Sequence, residues 1–125
     1  MTDATPTILC VDDDADVREI LRIILDANGY ATQLAASAEE GLRLSKQAAP
    51  DAVIVDLMME EIDSGVRFVK DLRAEGSTAP VIMLSSVGDA MNATIDAADL
   101  HLDGVLQKPI AEATLISLLR RKLAH

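Results

Sequence analysis

Three consecutive aspartates, Asp12-Asp13-Asp14, follow a short apolar run at residues 8–11. A single aspartate, Asp56, follows a second run at 52–55. Ser85-Ser86 follow a third run at 81–84, and Lys108-Pro109 come just after a short stretch at 104–107. If these four run ends meet, carboxylates, a hydroxyl and an ammonium share one place. Clustered carboxylates repel and raise each other's pKa unless a cation joins them. An oxygen-only donor set suits a hard divalent ion such as Mg²⁺. Bound Mg²⁺ would attract a phosphoryl group, with Lys108 adding a second positive charge and Ser85 a hydrogen-bond donor. A carboxylate so placed can act as a nucleophile toward phosphorus. The constellation therefore suits phosphoryl transfer, helped mostly by charge neutralisation.

The elements that must position these residues are legible in the apolar pattern. Residues 7–11 are apolar and β-branched, as in a buried strand. Val17, Ile20, Leu21, Ile24 and Leu25 then trace the stripe of an amphipathic helix, ended by Asn28-Gly29. Residues 30–35 read as a second strand. Ser37-Ala38-Glu39-Glu40 is a capping box that opens a helix to about residue 49, where Pro50 stops it. A third strand at 52–55 precedes a helix from Gly65 or Val66 to about residue 75. A strand at 81–84, an Ala-rich helix at 89–100, a short strand at 104–107 and a helix at 112–123 complete the chain. Apolar strands alternating with helices predict an α/β fold, a parallel sheet covered on both faces. Right-handed crossovers make it doubly wound. Ligands in such sheets bind at the carboxyl ends of the strands, where the polar residues fall.

The 125-residue chain has the size of one domain. Half of it is hydrophobic, yet Tyr30 and Phe68 are the only aromatics, so aliphatic residues and Met must fill the core. No apolar run approaches the ~20 residues of a membrane span. Met1-Thr2-Asp3 lacks the features of a signal peptide. A single cysteine, Cys10, sits in an apolar run, which suits a buried thiol and a reducing cytoplasm. The net charge of −10 argues against nucleic acid or anionic lipid as partners. Arg120-Arg121-Lys122 is read as cations at a helix C-terminus. Asp14 is better suited to helix capping than to ligation. Asp12, Asp14 and Asp16 mimic a calcium loop, but Val17 stands where Gly is needed and Ile23 where the bidentate Glu belongs. His101 and His125 are lone residues with no metal-binding pattern.

The segments 8–14, 53–59, 81–86 and 108–109 together resemble the marks of the response-regulator receiver family, over about residues 7–123. The resemblance implies a flavodoxin-like (βα)5 domain with strand order 2-1-3-4-5. It also implies that Asp56 accepts a phosphoryl group from a phosphohistidine of a sensor histidine kinase or a histidine phosphotransfer protein. Asp13, Asp56 and the backbone carbonyl of Met58 would bind Mg²⁺ directly, with Asp12 assisting through water. Lys108 would contact the phosphoryl group, and Ser85 would hydrogen-bond it and draw the following loop inward. The Lys108–Pro109 peptide would be cis. The domain would promote its own phosphorylation and dephosphorylation without being an enzyme. Its signal would leave through the helix expected at 89–100, the strand at 104–107 and the last helix, a face that could also form a homodimer. The output would be a downstream protein or a further domain.

Three departures stand out. The segment 60–65 lacks the family's Pro and carries one extra residue, Val105 replaces the aromatic switch residue, and Ile110 replaces the Phe that often follows Lys-Pro. Val105 has no ring to move and is stiff at χ1, so the expected switch is a shift of the loop and helix after Ser85. One alternative is a haloacid-dehalogenase-type phosphatase using Asp12 and Asp14, but Ala15-Asp16 follow in place of its usual Gly-Thr. A flavin binder of similar architecture would need a Ser/Thr/Gly-rich loop where the three aspartates stand. A pseudo-receiver used only for docking would not need the full acid, Ser and Lys set.

Overall fold

A computed structural model describes residues 5–59, 64–86 and 101–123. In chain order the elements are β1 (Thr7–Val11), α1 (Ala15–Ala27), β2 (Ala31–Ala35), α2 (Ala38–Gln47) and β3 (Ala52–Asp56). These are followed by α3 (Ser64–Ala74), β4 (Val81–Ser85), β5 (Gly104–Gln107) and α4 (Glu112–Leu123). All strand pairs are parallel, and the order β2-β1-β3-β4-β5 is the expected one. The helix expected over residues 89–100 lies outside the described residues.

Strand alternation sorts the core into two layers. Ile8, Cys10, Ile54, Ile82 and Leu84 pack with Leu21 and Leu25 of α1 and Leu115 and Leu119 of α4. Leu9, Val11, Val53, Val55, Val81 and Met83 pack on the other face with Phe68, Val69 and Leu72 of α3. β1, β3 and β4 are therefore buried on both faces, which is why their sequences are continuously apolar. Ile20 departs from the expected stripe: with Leu21, Ile24 and Leu25 filling the core side of α1, Ile20 is left 48% exposed.

The helix ends follow local chemistry. Asp14 caps α1, its carboxylate accepting from the Asp16 backbone N–H at 2.8 Å. Ser37 caps α2 by accepting from Glu40 N–H, and Glu40 reaches back to the N–H of Ala36. Gly29 and Gly76 leave α1 and α3 with positive φ, a conformation that costs glycine little. Cys10 is buried, and burial, reinforced by Asp12, pushes its thiol up to about 12, so it is inert. No described helix is long and apolar enough to cross a membrane.

Candidate functional site

Strand order places the ends of β1, β3, β4 and β5 on one edge, and the polar residues follow. Asp56 is the last residue of β3, pairs with Leu84, and is only 4% exposed. The Leu57 N–H donates to Leu84 O at 2.8 Å, so the chain stays attached to β4 just past the aspartate. Asp12 follows β1 directly and is fully buried. Its N–H donates to Ala35 O at the end of β2, and its Oδ1 accepts from Asp14 N–H at 2.9 Å. Asp13 is exposed beside it. Carboxylate oxygens of Asp12, Asp13 and Asp56 lie within 4.8 Å of one another.

Lys108 reaches this cluster from the end of β5. Its Nζ lies 3.1 Å from Asp12 Oδ2 and 3.4 Å from Asp56 Oδ1. Its backbone N–H donates to Ser85 O at 2.7 Å, tying it to the end of β4. The Lys108–Pro109 peptide is cis, as expected. Ser85 is buried at the same edge, paired with Gln107. Met58 is half-buried and its side chain packs on the core layer beneath α3. Val105 lies on β5 opposite Met83 and is 46% exposed.

Burial and neighbouring charge set the electrostatics of the cluster. Burial first, then the neighbouring Asp12 carboxylate, pushes Asp56 up to about 6, with Lys108 pulling the other way. Burial disfavours the Lys108 charge, but Asp12 and then Asp56 more than offset this and hold the ammonium above its ordinary value. Lys108 lies at ion-pair distance from Asp12 Oδ2 and Asp56 Oδ1, yet both oxygens lack an aligned hydrogen-bond donor among the described residues. Buried carboxylate oxygens without donors are costly. A hard cation satisfies them, so the donor set fits Mg²⁺.

Two contributors were not singled out in the sequence. Gly65 opens α3 against the turn that follows Asp56, its N–H donating to Leu57 O at 3.0 Å. A Cβ at Gly65 would run into the carbonyl oxygens of Asp56 and Leu57. Arg18 reaches back from α1, and its Nη1 donates to Asp12 O at 2.8 Å. A glycine at the very start of a helix offered a weak signal; an arginine on a helix face offered none. At the opposite edge a groove of about 800 Å³ opens beside Lys46, Asp51 and Glu75, away from this chemistry.

The sequence model of the response regulator receiver domain matches residues 8–120. Over 116 residues the chain is 38% identical to the response regulator MprA of Mycolicibacterium vanbaalenii and 36% to that of Mycobacterium leprae. The matches cover 93% of this chain but 49% and 50% of those proteins, so the chain spans about half their length. A response regulator receiver domain protein from Clostridium thermocellum superposes with a TM-score of 0.84 at 26% identity, covering 94% of each chain. The chemotaxis protein CheY4 of Vibrio cholerae gives 0.82 at 28%, covering 96% of this chain and all of that one.

Proposed function

This chain belongs to the response regulator receiver domain family of two-component signalling, and from that premise we propose that Asp56 is its phosphoacceptor. The observation that carries this is the meeting of Asp12, Asp13, Asp56 and Lys108 at the carboxyl edge of the sheet. An Asp56 carboxylate oxygen attacks the phosphorus of a phosphohistidine on a sensor kinase or phosphotransfer protein. An O–P bond forms, the P–N bond breaks, and its electron pair returns to the imidazole. With its pKa near 6, Asp56 is largely ionised at neutral pH and ready to attack.

Asp13, Asp56 and the Met58 backbone carbonyl would hold Mg²⁺, with Asp12 in support. Bound Mg²⁺ supplies positive charge that offsets the carboxylates and the incoming phosphoryl oxygens. Lys108 adds a fixed ammonium on the same side, and Ser85 offers the phosphoryl group a hydroxyl donor. Water later hydrolyses the aspartyl phosphate, so the domain resets itself without turning over a separate substrate.

The signal would leave where Ser85 pulls on the chain that follows it. Val105 is not aromatic and already faces solvent, so it needs no rotamer exchange for that face to change. The output face would comprise residues 89–100, β5 and α4, and could bind a downstream protein, a further domain or a second copy in the cytoplasm. The phosphatase alternative needs Asp14 free, whereas its carboxylate caps α1. Intact mass after incubation with Mg²⁺ and acetyl phosphate tests the reading. A labile phosphoryl adduct that disappears in Asp56→Asn supports it; an adduct retained in that variant refutes it.

A further inference from the structure

We propose that Arg18 is a positioning residue for cation binding: it holds the peptide between Asp12 and Asp13 and thereby fixes where Asp13 presents its carboxylate. The inference rests on the reading of the acidic cluster given above. Asp12 is immobilised on every side. Its N–H donates to Ala35 O, its Oδ1 accepts from Asp14 N–H, and its Oδ2 lies 3.1 Å from Lys108 Nζ. Its carbonyl oxygen accepts from Arg18 Nη1 at 2.8 Å. Asp13 is the opposite case. It is exposed, and among the described residues its carboxylate has no hydrogen bond or ion pair.

What orients Asp13 is therefore its backbone. The Asp12 carbonyl and the Asp13 N–H belong to one planar unit, so fixing the carbonyl fixes the plane and the position of the Asp13 Cα. Arg18 is well placed to do this because Arg18 N–H itself bonds Asp14 O, anchoring its own backbone to the same loop. A half-buried side chain anchored at its backbone and at Nη1 has little freedom left. The loop is thus shaped before a cation arrives, and Asp13 need order only its side-chain torsions to ligate.

The test is a Mg²⁺ titration followed by backbone amide shifts, with wild type, Arg18→Met and Arg18→Lys compared. Removing a group that orients a metal ligand typically weakens affinity by about tenfold or more. We expect half-saturating Mg²⁺ to rise about tenfold in Arg18→Met and nearly as much in Arg18→Lys, which keeps the charge but lacks the guanidinium nitrogen that bonds Asp12 O. The rate of phosphorylation by acetyl phosphate at saturating Mg²⁺ should stay within about twofold of wild type, because the acceptor is untouched. A general loss of fold would lower that rate at every Mg²⁺ concentration, so the separation of affinity from rate distinguishes positioning from damage. Wild-type affinity in Arg18→Met, or full restoration by Arg18→Lys, overturns the proposal. A wild-type chain that shows no Mg²⁺-dependent shift at all refutes the reading of the cluster instead.

Discussion

At the starting edge of the sheet, Asp51 and Asp103 each close a reciprocal clamp on a neighbouring strand. Asp51 N–H donates to Thr7 O at 2.8 Å, and Thr7 N–H returns a bond to Asp51 Oδ2 at 2.7 Å. Asp103 does the same with Val81, at 2.8 Å in both directions, and Arg73 and Lys122 flank its carboxylate at 4.0 and 3.7 Å. At the finishing edge, Asp12 and Asp56 are more deeply buried, yet each has a carboxylate oxygen with no aligned donor among the described residues. The starting edge is not perfectly satisfied, since Arg73 Nε also lacks a partner among the described residues. Still, its aspartate carboxylates join strands, whereas among the described residues those of Asp12 and Asp56 accept from no neighbouring strand's backbone. Identical side chains thus serve cohesion at one end and, on the reading proposed above, reactivity at the other, and what separates them is whether the N–H of a neighbouring strand is within reach.

Four measurements sharpen or break this contrast. The largest effect should come from Asp56→Asn, which removes the nucleophile and should leave no phosphoryl adduct detectable by intact mass. An undiminished adduct would place the reactive group elsewhere and dissolve the contrast.

The second measurement compares the urea stability of wild type and Asp56→Asn without metal across pH. The folded-state pKa of Asp56 is raised from 3.8 to about 6. Its contribution to stability is therefore fully present below the unfolded pKa and is lost as pH rises through 6. At about pH 7.5 the variant should be the more stable by about 2–3 kcal/mol. That gap should fall by about half near pH 5. A gap independent of pH would mean that neither burial nor the neighbouring Asp12 disfavours the Asp56 charge at the finishing edge.

Asp103→Ala should act in the other direction, since it deletes an ionised acceptor from a backbone donor. A loss of about 2 kcal/mol is expected by urea denaturation, with Mg²⁺-dependent phosphorylation retained. Phosphorylation lost along with stability would show that the two edges are not separable. The smallest effect belongs to the Lys46–Glu75 pair at the starting edge, 3.3 Å apart but with side chains 66% and 30% exposed. Lys46→Ala should change stability by less than about 0.5 kcal/mol. A larger loss would mean that cohesion there depends on surface charge as well as on the backbone clamps.

Much of the site was legible in the sequence because it obeys strand arithmetic. A buried parallel strand reads as an apolar run, the run has an end, and the end faces the ligand edge, so Asp12, Asp56, Ser85 and Lys108 could be named before their contacts were known. Asp14 could be assigned as a cap because capping depends on residues only two or three apart. Asp51 and Asp103 were not legible. They sit before strands rather than after them, and their partners lie 44 and 22 residues away, so nothing local marks them. Ile20 failed for a related reason. A 3.6-residue period names a face but not its width, and the packing of Leu21, Ile24 and Leu25 decided where the core stopped. Arg18 was hidden because its hydrogen bond goes to a carbonyl, and every residue has one.

The contact between Gly65 and the turn after Asp56 bears on how such sequences diverge. Leu57 O and Gly65 N–H form a closed bracket, and the absence of a side chain at Gly65 lets the bracket shut against the Asp56 carbonyl. The segment that departs from the family pattern in sequence, 60–65, is closed off by the bracket, while Asp56 keeps its pairing with Leu84 outside it. Insertions and deletions between positions 57 and 65 are therefore insulated from the register of Asp56. Alignments of related chains should place their gaps inside that interval and anchor on the glycine, even where the intervening residues share no pattern.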